Sequence, residues 1–413
     1  MTRRLAWLTA SLALLGSSVA VLFLACTDGR PLVVRGPAIV PQTMAEAKQL
    51  FRANDPRRLR EGERRRVAIP ATLIDEGANH LANHFLDGRG AFSMGEESAE
   101  IRLTVPIPYL PVPRYINLRA SFREAEGEPR IATASLGKLP LPPQLLEWAL
   151  ESALQASSHA AEWRLTRDAI RRLAFEPTTG MVVIDYVWNT EILDRARSML
   201  FSPADIQRLR EAQTALAGML DHRAPRSAVP LIAVLKPLLE LPDDDRRARR
   251  RTSLLLLAVY LAEKDIAELI PEARRWANPR PVALTLRGRH DTAQHFVISA
   301  TLAAWAGEPV AEAVGAYKEL HDARHGSGFS FADLAADRAG TRFGELVAGN
   351  DIRVDKLMQG KPTDGDLVPP LYGLPEYLPE RIFLSRYGGP GQPSYDELLS
   401  EIERRLNKLP IYR

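Results

Sequence analysis

A single cysteine, Cys26, stands in 413 residues. That excludes an intramolecular disulfide and any zinc cluster built on thiolates. Aromatic residues make up only 7%, and Lys+Arg 54 against Asp+Glu 51 leaves a formal charge of +3. With no one-sided field and few aromatics among the arginine runs, a nucleic-acid partner is not expected. No glycine-rich phosphate cradle follows a strand-like run, and no repeat of fixed period is visible. Apolar runs are scarce as well: Leu254 to Ala262 and Phe296 to Ala306 are too short to cross a bilayer. What the chain does have is 46% hydrophobic and 25% charged residues. Those proportions exclude wholesale disorder, and the length suits two or three compact units.

One uncharged stretch is long. Arg3 and Arg4 precede Leu5 to Cys26, and 22 helical residues would reach about 33 Å, enough for a hydrocarbon core of about 30 Å. Positive charge ahead of the run keeps the N-terminus cytoplasmic. The expectation is an N-terminal transmembrane helix acting as a signal anchor over residues 1–26. The protein would then be single-pass in the inner (cytoplasmic) membrane, the bulk of the chain periplasmic or otherwise extracytoplasmic. Lipidation at Cys26 after a lipoprotein-type cleavage, or cleavage after Ala20, are the alternatives.

The expected fold class is α+β. Residues 27–66 read as a tether ending in a basic segment, a solvated face or a contact for anionic lipid. Residues 67–199 read as an antiparallel sheet with helices. Thr72 to Leu86 carries Ile74, Ala78, Leu81, Ala82 and Phe85 at helical spacing, and strands are expected at 99–106, 115–123, 130–136 and 181–188. Pro106, Pro108, Pro111 and Pro113 suggest a connection outside the sheet. Residues 200–276 read as a helical connector around Asp243 to Arg251 (DDDRRARRR), expected as a self-neutralising surface loop. Residues 277–350 form an all-helical C-terminal unit, and 351–413 an extended Pro/Gly-rich wrap with a closing helix. Ser394 and Glu397 have capping-box spacing at the start of that helix, whose docking face is Leu398, Ile402, Leu406 and Leu409.

The C-terminal unit holds the candidate site. Asp291, His295 and Ser299 recur every four residues on one helix and share a face. Glu319 and Asp322 lie on the next helix, and Asp337 on a third whose Gly340 and Gly344 permit close approach. An imidazole with several carboxylates suits a divalent metal such as Zn or Mn, so His295, Glu319, Asp322 and Asp337 are the candidate ligands. The competing reading is a structural polar network, with Glu319 paired to Arg324 or Arg338 and Asp333 serving the helix start beside Ser330. No triad is expected of Asp291-His295-Ser299, because three turns of one helix supply neither a strained nucleophile turn nor an oxyanion pocket. His80 and His84, four apart, read as a solvated surface.

Two resemblances add to this. A helical His followed by small residues, then KELHD (Lys318–Asp322) and GSGFSFADLAAD (Gly326–Asp337) with Gly340, is similar to the YfiM-like envelope lipoproteins over residues 285–345. The NHLANHF helix (Asn79–Phe85), the strands after it and the Gly137-to-LPLP segment resemble the YpmS-like membrane-anchored extracytoplasmic group over 67–160. Both imply an envelope location; neither implies a substrate. Together these observations favour a binding or scaffold module for a lipid, glycan or protein partner. The alternative is a metal-assisted hydrolase of an envelope substrate.

Overall fold

The computed structural model describes residues 21, 23–55, 58–96, 98–125, 128–156, 160–192, 195 and 201–413. The chain divides into two compact units, Met1–Pro37 with Ala45–Ala196, and Ala38–Met44 with Arg197–Arg413. The α+β class is found, but its expected transmembrane helix is not. Among the described residues no helix is long and apolar enough to cross a membrane. The signal anchor and the single-pass inner-membrane placement drawn from it are therefore corrected. Residues 5–20 and 22 of the run lie outside the described residues. Its end is committed to the folded unit instead: the Lys138 amide donates to the Ala25 carbonyl at 2.9 Å, and Thr27 Oγ1 to that of Phe23 at 2.7 Å. Cys26, the lipidation candidate, is partly buried beside that turn.

In chain order the first part runs β1 (Thr27–Asp28), α1 (Pro41–Ala53), β2 (Arg64–Pro70), α2 (Ala71–Leu86), β3 (Arg89–Met94), β4 (Ala99–Ile107), β5 (Arg114–Ala125), β6 (Glu128–Leu136) and β7 (Leu139–Leu141). There follow α3 (Pro143–Ala156), α4 (Ala160–Ala169), β8 (Ile170–Glu176) and β9 (Met181–Val187). Strands β3 to β7 pair antiparallel in sequence order, and β1 pairs with β5 at Tyr115 and Ile116, where β6 has ended. A second antiparallel sheet has the order β2-β9-β8. Pro106 lies inside β4, not outside the sheet, at a point beyond the last residue paired to β3. With a neighbour on one side only, that position tolerates a residue that cannot donate. Part of the basic segment is strand β2, where Arg66 pairs with Asp185 of β9 at 2.6 Å.

Helix α2 is rotated from the face its apolar spacing suggested. Leu81 and Phe85 are exposed, while Asn79 and Ala82 are buried. Polar residues knit the helix to β3: Asp75 accepts from the Phe92 amide at 2.7 Å, and Asn79 Oδ1 from that of Gly90 at 3.2 Å. A Cβ on Gly90 would lie 2.5 Å from the Ala78 carbonyl oxygen, so only glycine admits the helix this closely.

The second unit contains α5 (Pro203–Leu220), β10 (Ala228–Pro230), α6 (Ile232–Leu239), α7 (Arg246–Leu261), β11 (Ala283–Thr285), α8 (His290–Ala306), α9 (Glu308–His325) and α10 (Phe331–Ala348). It closes with α11 (Ile352–Gln359), α12 (Asp364–Leu367), α13 (Glu380–Tyr387) and α14 (Pro393–Leu406). It is not purely helical, because β10 and β11 form a short parallel pair. One hydrophobic core runs from Phe201 to Tyr412, so the connector, the helical unit and the wrap share a single interior. The wrap contributes Phe383, stacked 4.0 Å from Phe329. In α14, Ile402 and Leu406 are fully buried and Leu398 partly so, and Leu409 just beyond the helix is also partly buried. Its N-cap is Gln392 with Pro393 in the first turn, not the Ser394 box.

The DDDRRARRR segment is not a surface loop. Asp245 caps α7 by accepting from the Ala248 amide, and Arg249 and Arg250 in the next turn are buried. Asp243 meets Arg249 at 3.0 Å, while Asp355 of α11 pairs with Arg250.

Candidate metal centre

Close approach of two helices creates the site. A Cβ on Gly340 would fall 2.1 Å from the Phe296 carbonyl oxygen, and one on Gly344 2.2 Å from that of Ala300. Both obstacles are backbone, so α10 can lie this near α8 only with glycine at these positions. The contact sets Asp333 and Asp337 of α10 against His295 and Ser299 of α8. Gly315 of α9 leaves room for the third side: a Cβ there would sit 3.0 Å from Asp337 Oδ2.

His295, Ser299, Glu319 and Asp337 are all buried. His295 Nδ1 lies 3.1 Å from each oxygen of Asp337, and Ser299 Oγ donates to Asp337 Oδ1 at 2.7 Å. A carboxylate holding Nδ1–H leaves the Nε2 lone pair pointing away. That nitrogen faces Asp333 Oδ2 at 3.6 Å, Glu319 Oε1 at 3.8 Å and the Lys318 ammonium at 3.1 Å. Lys318 Nζ also donates to Asp322 Oδ2 at 2.9 Å and Glu319 Oε1 at 3.3 Å. The other Glu319 oxygen accepts from the Ser330 amide at 3.0 Å, which ties the start of α10 to α9. Asp333 Oδ1 is buried without a hydrogen-bond partner, its nearest cation being Arg289 at 3.8 Å.

The electrostatics follow from four carboxylates gathered around one ammonium and one imidazole. Burial alone would push the His295 pKa down, but the charge and hydrogen bond of Asp337, with Asp333 behind them, raise it to about 9. Burial pushes Glu319 up to about 7 against the opposing pull of Lys318. Asp333 is raised for the same first reason. A proton and the Lys318 ammonium thus compete for the same Nε2 lone pair, since an ammonium can donate there only to the neutral ring.

His295, Glu319 and Asp337 each bring one ligand atom within 4.8 Å of the others, a buried group able to hold a metal ion. His295 and Asp337 border a cavity of about 370 Å³ lined in addition by Gln294, Ser299, Lys318, Asp333 and Tyr377. Of the other expected residues, Asp322 is drawn in through Lys318. Asp291 lines the cavity but is held by Arg289 at 2.8 Å, whose hydrogen bond keeps its carboxyl low. Arg324 and Arg338 do not pair with Glu319; they meet Glu380, and Glu312 with Glu403. His80 and His84 stack at 5.8 Å in the other unit.

Two participants escaped the sequence reading. Asp333 was expected only at the helix start, where its amide does donate to Ser330 Oγ at 3.0 Å. Its side chain is free to face His295 because the cap uses its backbone. Lys318 is adjacent to Glu319, and the signal for it was its four-residue spacing from Asp322 on α9. No protein family, curated protein or solved structure matches this chain, so its geometry alone speaks for its chemistry.

Proposed function

We propose that the chain is a metal-dependent hydrolase whose divalent ion, of the Zn or Mn class, is held by His295 Nε2, Glu319 and Asp333. Asp337 would orient the imidazole and Ser299 would steady Asp337, the outer-shell arrangement that fixes a metal-ligating histidine. The observation that carries this reading is the aim of His295: one nitrogen is tied to a carboxylate, and the other is turned toward two more inside a cavity. Asp333 Oδ1, buried without a hydrogen bond and with Arg289 no nearer than 3.8 Å, and the surplus of carboxylates over cations support it, because both ask for positive charge. When bound, such an ion lowers the pKa of a coordinated water and polarises the group under attack. The chain's own residues supply the ligand set, a buried frame and room for a small substrate group. Burial already raises the Glu319 carboxyl, so seating an ion on it would release the proton that it holds.

The scaffold reading has no comparable observation behind it, since the anchor on which it leaned is corrected. The YfiM-like resemblance remains compatible with the hydrolase, since the residues it shares include those of the cluster.

Titrating Zn²⁺ or Mn²⁺ into chelator-stripped protein by calorimetry tests the proposal. One ion per chain is expected, with affinity falling at least about tenfold in His295→Ala. Equal binding by wild type and a folded His295→Ala protein would overturn it.

A further inference from the structure

The same cavity already contains a cation, and it is covalently attached. Lys318 Nζ lies 3.1 Å from His295 Nε2, 3.3 Å from Glu319 Oε1 and 2.9 Å from Asp322 Oδ2. Two of these three atoms belong to the proposed ligand set. The ammonium occupies the space between them, at distances suited to N–H donation. A Zn²⁺ ion would need those atoms at about 2.0–2.2 Å. An ammonium and a divalent ion cannot share that space, for want of volume and because like charges at such separation repel.

The lysine is built to leave. Its side chain is 50% exposed although its charged end is bound, so the stem lies at the mouth of the cavity. Rotation about its four-carbon stem carries the charge into water without moving α9. His295, Glu319 and Asp337 have no such freedom, being buried and engaged. Asp322 is 24% exposed and lies on the same face of α9 as Lys318, so it can follow the ammonium outward.

We infer that Lys318 is the resident cation of this pocket and that a divalent ion binds only by displacing it. The inference rests on the metal reading of the site and adds its regulation. While the ammonium is seated, the four carboxylates are partly neutralised and the fold is stable without metal. When an ion is seated, the lysine is released to the cavity mouth. Metal occupancy and exposure of Lys318 therefore vary together.

Two measurements on the full-length protein test this. Lys318→Met, which keeps the stem length and removes the charge, is expected to bind Mn²⁺ at least tenfold more tightly than wild type, while Lys318→Arg stays near wild type. In wild-type protein, saturation with Mn²⁺ is expected to raise acetylation of Lys318 by acetic anhydride severalfold, read by peptide mass spectrometry against the exposed Lys356. Acetylation unchanged by metal overturns the displacement, as does Lys318→Met binding no tighter than wild type. Either result leaves the metal site itself standing if wild type still binds one ion. If neither wild type nor Lys318→Met binds metal, both the site and its regulation fail.

Discussion

Tyr395 shows how one side chain reports on the closure of the second unit. It is 5% exposed and lies 5.7 Å from the Phe331 ring and 6.1 Å from that of Phe329. Burial pushes its hydroxyl up to about 12, with Arg338 opposing and Asp396 and Glu319 adding to the rise. Because the folded pKa exceeds the unfolded value of about 10, its contribution is complete below pH 10 and lost as pH rises through 12. The loss expected is about 2–3 kcal/mol. Urea midpoints measured from pH 9 to 12 should fall more steeply for wild type than for Tyr395→Phe, and parallel curves would refute the assignment. At this scale the sequence was only partly legible. His295, Glu319 and Asp337 stood out because their types suit a metal and their helices carry small residues. Asp333 did not, since its place after Ser330 already had a capping explanation. Arg249 and Arg250 sat in a run of mixed charge that resembles any solvated surface, and their burial depends on Asp243 and on Asp355, 105 residues away for Arg250.

Among the elements, the α8–α10 pair decides the site. Its contact depends on two glycines one turn apart on α10, with carbonyl oxygens of α8 where side chains would otherwise lie. Gly340→Ala is expected to cost about 1–3 kcal/mol or more, because a backbone oxygen cannot step aside as a side-chain tip can. Gly218→Ala, on α5 with no atom within 4 Å of the added carbon, should instead gain up to about 1 kcal/mol from helix propensity. Denaturant midpoints of the two variants should therefore move in opposite directions; a shift of the same sign in both would contradict the close crossing. The position of Gly340 and Gly344 on one face was readable from their spacing. The rotation of α2 was not, because Asp75 and Asn79 find backbone partners on β3 that hydrophobic periodicity does not register.

On the scale of the molecule, the two units differ in how their interiors are built. The second holds one continuous core that includes five fully buried phenylalanines, Phe296, Phe329, Phe331, Phe343 and Phe383. The first relies on small clusters, one around Phe92, Ala99 and Val182 and one around Ala120, Ala134 and Leu146. Native-state hydrogen exchange should give the slowest amides in α7, α8 and α10, with β3 to β6 exchanging faster. Equal protection of the sheet and those helices would show that the larger core confers no extra stability. What the sequence by itself determined is the α+β class, most of the strands from β4 to β6, and the residue types of the cluster. These follow from local patterns: alternation, helical spacing and turn residues. Which face of α2 is buried, that α7 begins with interior arginines, and that Lys318 lies between His295 and Glu319 were decided only in three dimensions. Each depends on partners far away in the chain, and no local pattern encodes the distance between them.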